Sequence, residues 1–575
     1  MNHQKKPPLT DSQQLLEANI RFFWNPYTLF VGSLALYAAI VNTFGGLGGI
    51  TLRAGGWEFV FILYLYIYFI HSLRPSRWRY LLAATPIFLA YVGQDIYYLL
   101  YGKVFRIVEL GEVPELFDIL PLRFIALLML ALLPLSFFLL AVNYRNVATL
   151  VVGALPLVLV IGAVEMFPKS YATSFESVAN PIVSWSDGVS VANNGYFTML
   201  LYREAQRKIS LQLTESFHNR QAYDQQAQQR ASLIAAQSNQ RNVHLVVMES
   251  LLDPTLFTKA RYTGNPVHPA FTKLFGSNLG FSISPVFGGG TAQAEFEVLC
   301  GVPAFRELAG VEFNQFSGSP AYCTPGLLGL AGYRTIASNA FKPNFFNAIP
   351  AYQGIGFSEI YFPQEYVATG ESYLSTGDLT GEDYMFDGTL FSQNLAFIAK
   401  QLQEEKRRPI LNYLLSMYGH MPHLMNEKIR PTRFELIAKH DDEQLERSAN
   451  QYYYRTQAIA EYVNNLIKLD KNSLIIIVSD HVPPLQFGPN TYRDLSYLDN
   501  REGSYYHNRL MIIEDGVVKK YAKMHHYDIQ KVVFNYITQG AYCRENGCDF
   551  LQNRFNPDRS ALRERYFTLM AHATE

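Results

Sequence analysis

The first 170 residues contain five long apolar segments, and no other feature of the sequence restricts the possible folds as strongly. They lie at residues 27–44, 57–73, 80–100, 120–142 and 147–167. Each approaches the ~20 residues that an α-helix needs to cross a hydrocarbon core of about 30 Å. A soluble core could bury such helices, but five in succession favour a membrane anchor. No small-residue cleavage site follows the first segment, so it is predicted to be an uncleaved span.

The distribution of basic residues predicts which side of the membrane each loop occupies. The loops expected on one side hold Lys5, Lys6, Arg21, Arg74, Arg77, Arg79 and Arg145. The loops between the first and second and between the third and fourth segments hold fewer basic residues, and the latter is rich in glutamate. The positive-inside rule therefore places the N-terminus in the cytoplasm, and five crossings place the rest of the chain outside.

Two polar residues, Gln94 and Asp95, lie within the third apolar segment, where contact with lipid is costly. They are predicted to face the protein interior or the membrane interface. A structural role and contact with a lipid headgroup both remain open for them.

The length of 575 residues predicts at least two structural units. We expect a transmembrane anchor with five spans at 1–170, a helical connector at 171–240 and a catalytic domain at 241–575. The formal net charge of -1 argues against electrostatic binding of nucleic acid, so no nucleic-acid partner is expected.

From residue 242 onward, short apolar runs alternate with helical segments, which is typical of an α/β fold with a mainly parallel sheet. Three runs have the composition of central strands covered on both faces: 243–248 (VHLVVM), 410–417 (ILNYLLSM) and 474–478 (LIIIV). Helices are predicted between them at 387–405 and 448–469.

Residues of catalytic type follow each of these three strands. Glu249 follows the first, His420 the second, and Asp480 and His481 the third. Ligand sites in open α/β sheets lie beyond the carboxyl ends of the strands, so these side chains are expected to converge. Two carboxylates and an imidazole would suit a divalent metal ion, manganese or zinc, with positions left for substrate.

A glycine-rich stretch, residues 287–291 (FGGGT), precedes a run of helical character. Glycines let the backbone approach a charged group closely, and the N-terminus of the next helix favours an anion. A Thr291 hydroxyl beside a divalent cation could act as a nucleophile. The alternative is a flexible turn followed by a threonine helix cap. A phosphate-binding P-loop is excluded because no Lys-Ser/Thr pair follows the glycines.

The four cysteines lie beyond the apolar segments, at 300, 323, 543 and 548. An even number outside the cytoplasm predicts two disulfides, 300–323 and 543–548. Metal binding is the alternative, although the spacings match no common zinc module.

Taken together, these motifs resemble the lipoteichoic acid synthase-like phosphoglycerol transferases of the alkaline phosphatase/sulfatase superfamily. The matching stretches are 242–250 (NVHLVVMES), 285–303 (PVFGGGTAQAEFEVLCGVP), 332–335 (GYRT), 416–422 (SMYGHMP) and 479–481 (SDH). The resemblance covers essentially the whole chain. It implies an N-terminal five-helix transmembrane bundle in the bacterial inner membrane and a periplasmic α/β domain of alkaline phosphatase/sulfatase type.

The resemblance also implies roles for individual residues. The metal ligands would be Glu249, Thr291, Asp480 and His481, with Thr291 also the nucleophile. His420 would bind substrate and serve in proton transfer. The family takes a headgroup from a membrane phospholipid, holds it on the threonine and passes it to an acceptor hydroxyl, here expected on a cell-envelope glycan.

Two other functions remain open at this point. One is a membrane-tethered phosphodiesterase or sulfatase-type hydrolase, in which water is the acceptor. No C/S-x-P-x-R stretch stands at Thr291, which disfavours a formylglycine sulfatase. The other is a non-catalytic envelope scaffold, which the joint presence of all four ligand-type residues disfavours.

The chain departs from the resemblance in one place. Relatives that bind phosphoglycerol usually carry a His and an Arg where this chain has Asn339 and Ala348. Losing the Arg removes a bidentate anion clamp, so phosphoglycerol and phosphoethanolamine both remain possible headgroups. The predicted substrate-binding residues are His420, Asn339 and His423, and an ordinary surface histidine is the alternative for His423.

Overall fold

The computed structural model describes residues 22–44, 46–47, 56–101, 104–115, 122–182, 187–367, 371–404, 408–438, 442–548 and 559–575. The chain divides into two compact units, Met1–Ile209 and Ser210–Glu575. The predicted boundaries at residues 170 and 240 stay predictions.

The first unit is helical. Its helices are α1 (Pro26–Thr43), α2 (Gly56–Ser72), α3 (Arg79–Tyr101), α4 (Leu122–Ala141), α5 (Val147–Met166), α6 (Pro168–Val178) and α7 (Asp187–Asn194), and α8 (Tyr196–Glu215) begins in it. Helices α1 to α5 coincide with the five predicted apolar segments. Within the described ranges, α1 and α5 are long and apolar enough to cross a membrane, while α2 and α4 carry shorter apolar stretches. A five-span anchor stays a prediction, and Lys5, Lys6 and Arg21 lie outside the described residues.

The polar residues of α3 face protein. Gln94 and Asp95 are each only 3% exposed. The Tyr37 hydroxyl donates to Asp95 at 2.6 Å, and the Leu47 N–H donates to it at 2.8 Å. The Phe105 N–H donates to the Gln94 side chain at 3.0 Å. These hydrogen bonds satisfy the buried oxygens, so the prediction that both residues face an interior is confirmed.

The second unit is built on a nine-stranded sheet, with a separate two-stranded pair. The strands are β1 (Val243–Met248), β2 (Arg261–Tyr262), β3 (Gly280–Ile283), β4 (Arg334–Asn339), β5 (Glu359–Tyr361), β6 (Ile410–Ser416), β7 (Leu436–Ile437), β8 (Leu474–Ser479), β9 (His507–Glu514), β10 (Val517–Lys519) and β11 (Met524–His525). The order in the large sheet is β11-β3-β9-β8-β1-β6-β4-β5, and β10 pairs with β9. The central run from β8 to β5 is parallel throughout, whereas β9 is antiparallel to β8. The mainly parallel sheet expected from the three apolar runs is therefore present.

Helices cover both faces of this sheet. The described helices of this unit after α8 are α9 (Arg220–Gln237), α10 (Pro269–Phe275), α11 (Thr291–Cys300), α12 (Thr324–Leu330), α13 (Ala348–Ile355), α14 (Asp387–Gln401), α15 (Glu443–Leu469), α16 (Pro489–Asp494), α17 (Ile529–Ile537), α18 (Ala541–Asn546) and α19 (Arg559–Ala573). Successive side chains of a strand point to opposite faces. In β1, Leu245 and Val247 pack into one core beside α11, while Val246 and Met248 pack into the other beside α15. Two buried faces explain why the strand is apolar at consecutive positions.

Both predicted disulfides are present. One joins Cys300 at the end of α11 to Cys323, the residue before α12, and the other joins Cys543 to Cys548. No free cysteine occurs among the described residues. The first disulfide anchors the C-terminal end of the helix that begins at Thr291.

Candidate active site

Three adjacent strands deliver the predicted site residues to one edge of the sheet. Strand β1 lies between β6 and β8, and its last residue, Met248, pairs with Ser416 on one side and Ser479 on the other. The residues that follow therefore leave the sheet side by side. Glu249 comes directly after β1, and Asp480 comes directly after β8.

The glycine stretch holds Thr291 over this edge. Gly288, Gly289 and Gly290 have φ angles of 71°, 151° and 91°, a region that other residues rarely adopt. A Cβ on Gly290 would also lie 2.8 Å from the amide oxygen of Gln293. Thr291 is the first residue of α11 and is 6% exposed. Only glycine at these positions lets the chain turn sharply enough to bring the threonine to the strand ends.

Four of the five side chains that were expected to converge lie together, and His420 is not among them. The Thr291 hydroxyl donates to Oε2 of Glu249 at 2.7 Å, and it lies 3.5 Å from Nε2 of His481. The same Nε2 lies 3.2 Å from Oδ2 of Asp480 and 3.8 Å from Oε1 of Glu249. One hydroxyl, two carboxylates and one imidazole thus share a volume only a few ångströms across.

This donor set fits a divalent metal ion. The ligand atoms of Glu249, Asp480 and His481 all lie within 4.8 Å of one another. Oδ2 of Asp480 is buried and, apart from its 3.2 Å contact with Nε2 of His481, has no hydrogen-bond partner within the described part of the chain, which is unusual for a carboxylate in a protein interior. Carboxylate, imidazole and hydroxyl donors suit zinc or manganese. The predicted metal-binding capacity is therefore supported, while the identity of the metal stays a prediction.

The two carboxylates have opposite electrostatic environments. Burial, and then the charge of Glu249, raises the pKa of Asp480 well above its ordinary value. Burial also tends to raise the pKa of Glu249. The positive charges of His481 and His420 and the hydrogen bond from Thr291 outweigh burial there, so the net shift of this pKa is downward. A cation held between these acids would offset the repulsion that otherwise favours a proton on Asp480.

Other buried residues position the loop after β1, and sequence reasoning did not find them. Nη2 of Arg455, on α15, donates to the backbone carbonyl of Glu249 at 2.7 Å, and Nη1 donates to that of Ser250 at 3.2 Å. Nε of Arg455 donates to Asp387 at 2.6 Å. A Cβ on Gly419 would lie 2.0 Å from the Glu249 carbonyl, so this close packing requires glycine.

A histidine holds the loop after β8 in a similar way. Nε2 of His526 lies 3.1 Å and 3.0 Å from the carbonyl oxygens of Ser479 and Asp480. Its Nδ1 lies 2.6 Å from the Ser282 hydroxyl. Burial lowers the pKa of His526 to about 3, so the ring is neutral and one ring N–H can donate to these carbonyls. No sequence signal marked this residue, because it follows a strand of only two residues.

Comparison with known proteins decides the family. A family model described as Sulfatase matches residues 241–534, which is half of the chain. The chain belongs to the sulfatase family. The superfamily resemblance and the sulfatase-type catalytic domain expected from the motifs are confirmed, and with them membership of a superfamily of enzymes.

Individual proteins with named functions are only distantly similar to the chain. A putative cyclic beta-1,2-glucan modification protein of Rhizobium meliloti (strain 1021) is 26% identical over 254 residues, which is 42% of this chain and 36% of the relative. The chain thus matches little more than a third of that relative's length. The lipoteichoic acid synthase LtaP of Listeria monocytogenes aligns with 18% identity and a TM-score of 0.43, over 52% of this chain and 72% of that one. The Streptococcus pyogenes phosphoglycerol transferase GacH aligns with 18% identity and a TM-score of 0.46, over 62% and 92%.

Two histidines of this sulfatase-family domain occupy different environments. His420 is partly exposed, and its Nδ1 lies 3.1 Å from the Tyr384 hydroxyl and 2.9 Å from the Met421 carbonyl. His423 is 1% exposed, its Nδ1 lies 3.3 Å from the amide oxygen of Gln451, and burial lowers its pKa to about 3. The alternative of an ordinary surface histidine is wrong for His423. The substrate contacts predicted for both histidines stay predictions.

A small cavity adjoins Thr291 in the sulfatase-family domain. The cavity is narrow and partly open to solvent. Asn339 and Ala348, where the sequence was expected to differ from phosphoglycerol-binding relatives, both line it, and so does Glu295. The aromatic part of the lining consists of Phe313, Phe341, Phe345, Phe346 and Tyr352.

Proposed function

We propose that the protein is a membrane-anchored, metal-dependent transferase. It would move a phosphoglycerol or phosphoethanolamine headgroup from a membrane phospholipid to a cell-envelope glycan through a phosphothreonine at Thr291. The observation that supports this most directly is the position of the Thr291 hydroxyl, 2.7 Å from Glu249 and 3.5 Å from His481, next to the buried Asp480. A threonine that served only as a helix cap would have no need of such neighbours.

In the first half-reaction, the Thr291 oxygen attacks the phosphorus of the lipid phosphodiester in line with the leaving group. Its proton has an acceptor in Oε2 of Glu249. The Oγ–P bond forms and the bond from phosphorus to the diacylglycerol oxygen breaks. His420, which the Tyr384 hydroxyl and the Met421 carbonyl orient, is the proposed donor of a proton to that oxygen.

In the second half-reaction, a glycan hydroxyl attacks the same phosphorus and loses its proton, and Thr291 leaves and regains one. A zinc or manganese ion bound by Glu249, Thr291, Asp480 and His481 would supply positive charge that stabilises the phosphoryl transition state. The acceptor enters after the lipid product has left, so the proposal implies ping-pong kinetics.

The anchor has a role in this scheme. We infer that α1 to α5 span the bacterial inner membrane and that the catalytic domain is periplasmic. Tethering would keep the site at the surface to which the phospholipid donor is confined, and thus raise the effective donor concentration without any added contact.

The experiment that tests the proposal uses the full chain in vesicles that contain headgroup-labelled phospholipid, with and without a glucan acceptor. We expect the label to appear on the Thr291 peptide by mass spectrometry and to pass to glucan when it is added. Thr291→Ala should abolish both signals, a loss of about 10³-fold or more. Thr324→Ala is the matched control, because Thr324 is also a buried threonine at the first position of a helix, α12.

Two results would contradict the proposal. Label released as free headgroup at the same rate with and without glucan would identify a hydrolase instead. Equal activity of Thr291→Ala and wild type would contradict a catalytic role of Thr291. If neither protein turns over phospholipid, although both restore the phenotype of cells that lack the gene, the protein is a scaffold.

A further inference from the structure

Two clusters of metal-ligating side chains occur within the described residues, and the proposed reaction uses only one of them. The unused cluster consists of His218, His572 and Glu575. Each of these residues offers one ligand atom, and the three atoms lie within 4.8 Å of one another. All three residues belong to the second unit, Ser210–Glu575, so the cluster lies within one compact body.

The elements that carry the cluster come from the two ends of this unit's sequence. His218 lies in the turn between α8 and α9, His572 lies on α19, and Glu575 comes two residues after the end of that helix. Nδ1 of His572 lies 3.7 Å from Oε1 of Glu575. Nε2 of His218 contacts the same oxygen. Both histidines therefore meet at one carboxylate oxygen.

Arg220 determines which oxygen of Glu575 faces the histidines. Its Nη2 pairs with Oε2 of Glu575. Its Nη1 donates to the Pro320 carbonyl at 2.7 Å, which holds the guanidinium in place. One oxygen of the carboxylate is thus bound by the arginine, and the other is left to the two imidazoles.

His572 supplies the observation that favours a metal ion over a simple ion pair. This residue is only 1% exposed. Apart from the 3.7 Å contact with Glu575, neither of its ring nitrogens has a hydrogen-bond partner within the described part of the chain. A buried polar group without partners is costly, and a neutral imidazole has one nitrogen with a free lone pair. A cation bound to that nitrogen explains why the ring is buried beside a carboxylate.

The ring of His572 is already held in a fixed orientation. It stacks on Tyr223 of α9, with ring centroids 4.1 Å apart and an angle of 18° between the planes. The Tyr223 hydroxyl donates to the Ala321 carbonyl, which fixes this second ring in turn. The side chains of His218 and Glu575 are 48% and 25% exposed. The cluster is therefore rigid on its buried side and open to solvent on the other, which gives an ion a path of entry.

We propose that His218, His572 and Glu575 form a second metal site and that its ion is zinc. Two imidazoles and one carboxylate are a donor set that zinc takes, with its fourth position left to water. Magnesium and calcium prefer sites made only of oxygen atoms. The ion joins the turn between α8 and α9 to the end of α19. This site does not depend on the proposed transfer reaction.

The first test counts zinc in the full-length protein, purified in detergent without a polyhistidine tag, depleted of metal by a chelator and re-equilibrated with micromolar zinc. His218→Gln and Glu575→Gln each remove one ligand at a partly exposed position, where folding tolerates the change. Each variant should hold about one zinc ion per chain fewer than wild type. Its affinity at this site should fall at least about 10-fold, since replacing even an outer partner of a metal ligand has an effect of that size.

His268→Gln is the matched control. His268 is also partly exposed, and its Nδ1 accepts from the Ala270 N–H at 3.2 Å, but it belongs to neither cluster. The zinc content of this variant should equal that of wild type.

The second test locates the ion without any substitution. Diethyl pyrocarbonate acylates accessible imidazole nitrogens that bind no metal, and mass spectrometry of the peptides reports the modification of each histidine. Zinc should slow the modification of His218 at least about 10-fold and leave that of His268 unchanged. Asp480→Asn, which removes a ligand of the candidate active site, should leave this protection intact. The result thus stands whether or not the proposed function is right.

Three results would overturn the proposal. One is the same zinc content in wild type, His218→Gln and Glu575→Gln. Another is modification of His218 at a rate that zinc does not change, which would identify the cluster as an ion pair between protonated His218 and Glu575. The third is protection that appears only at millimolar zinc, which would identify an adventitious ion only.

Discussion

Replacing Arg455 with methionine should destabilise the catalytic unit substantially, although this arginine is not predicted to contact substrate. Its side chain is 2% exposed and donates to the Asp387 carboxylate and to the carbonyls of Glu249 and Ser250. Methionine fills a similar volume but leaves the Asp387 carboxylate, which is fully buried, without its charged partner. Removing one partner of a buried ion pair typically costs about 3–5 kcal/mol.

The expected change in melting temperature follows from the size of the unit. An unfolding entropy of about 2.1 cal/mol/K per residue, applied to Ser210–Glu575, gives roughly 0.8 kcal/mol/K. A loss of about 3–5 kcal/mol therefore lowers Tm by about 4–6 °C. Thermal unfolding of the detergent-solubilised full chain, followed by circular dichroism, measures this shift.

A surface arginine on the same helix provides the control. Arg447 also lies on α15, but its side chain is 34% exposed and pairs with Glu443. Arg447→Met should lower Tm by less than about 1 °C, because exposed pairs contribute little. Adding Asp387→Asn to Arg455→Met should restore more than half of the loss, since no charge is then left buried alone. Equal shifts for the two arginines, or additive effects in the double variant, would refute the reasoning.

Three further predictions concern other parts of the catalytic unit. Gly290→Ala should reduce Thr291 labelling at least tenfold, because φ of Gly290 is 91° and a new Cβ would lie 2.8 Å from a side-chain oxygen. As the control, Gly332→Ala should change only the free energy of unfolding, by about 1 kcal/mol, because φ of Gly332 is 94° but the space around it is open. Changing Cys300 and Cys323 to serine should lower the free energy of unfolding by about 3 kcal/mol, as expected for a closed loop with a sequence separation of 23, and a change below about 1 kcal/mol in urea titrations would contradict this. Burial lowers the pKa of His423 to about 3, so below about pH 6.5 the unfolded chain takes up a proton that the folded chain does not, and the free energy of unfolding falls by up to about 1.4 kcal/mol per pH unit on acidification. The pKa of His526 is lowered in the same way, so His423→Asn should reduce the slope measured in urea titrations at a series of pH values by one proton's share rather than abolish it.

The sequence predicted the central part of the fold because that part is buried on both faces. Strands β1, β6 and β8 each form a continuous apolar run, and parallel strands bring their carboxyl ends to one edge. That topological rule alone was enough to predict that Glu249 and Asp480 would meet. The short strands β3 and β11, at one end of the sheet, lack such a run and gave no signal.

The residues that support the site could not be predicted in the same way. Arg455 lies on an amphipathic helix, where a charged residue ordinarily faces solvent. Its partner Asp387 is 68 residues away in the chain, and its other partners are backbone carbonyls, which have no sequence signature. His526 also acts through carbonyls.

The pairing of β1 with β8 fixes the separation of the two acids in the candidate metal site. Met248 and Ser479 are directly opposite in the ladder, so the acids that follow them start one interstrand distance apart, about 4.8 Å. That distance is a constant of backbone hydrogen bonding, which mutations in the surrounding loops cannot stretch. The loops and helices around the site can therefore change in sequence while the two acids keep the same starting separation.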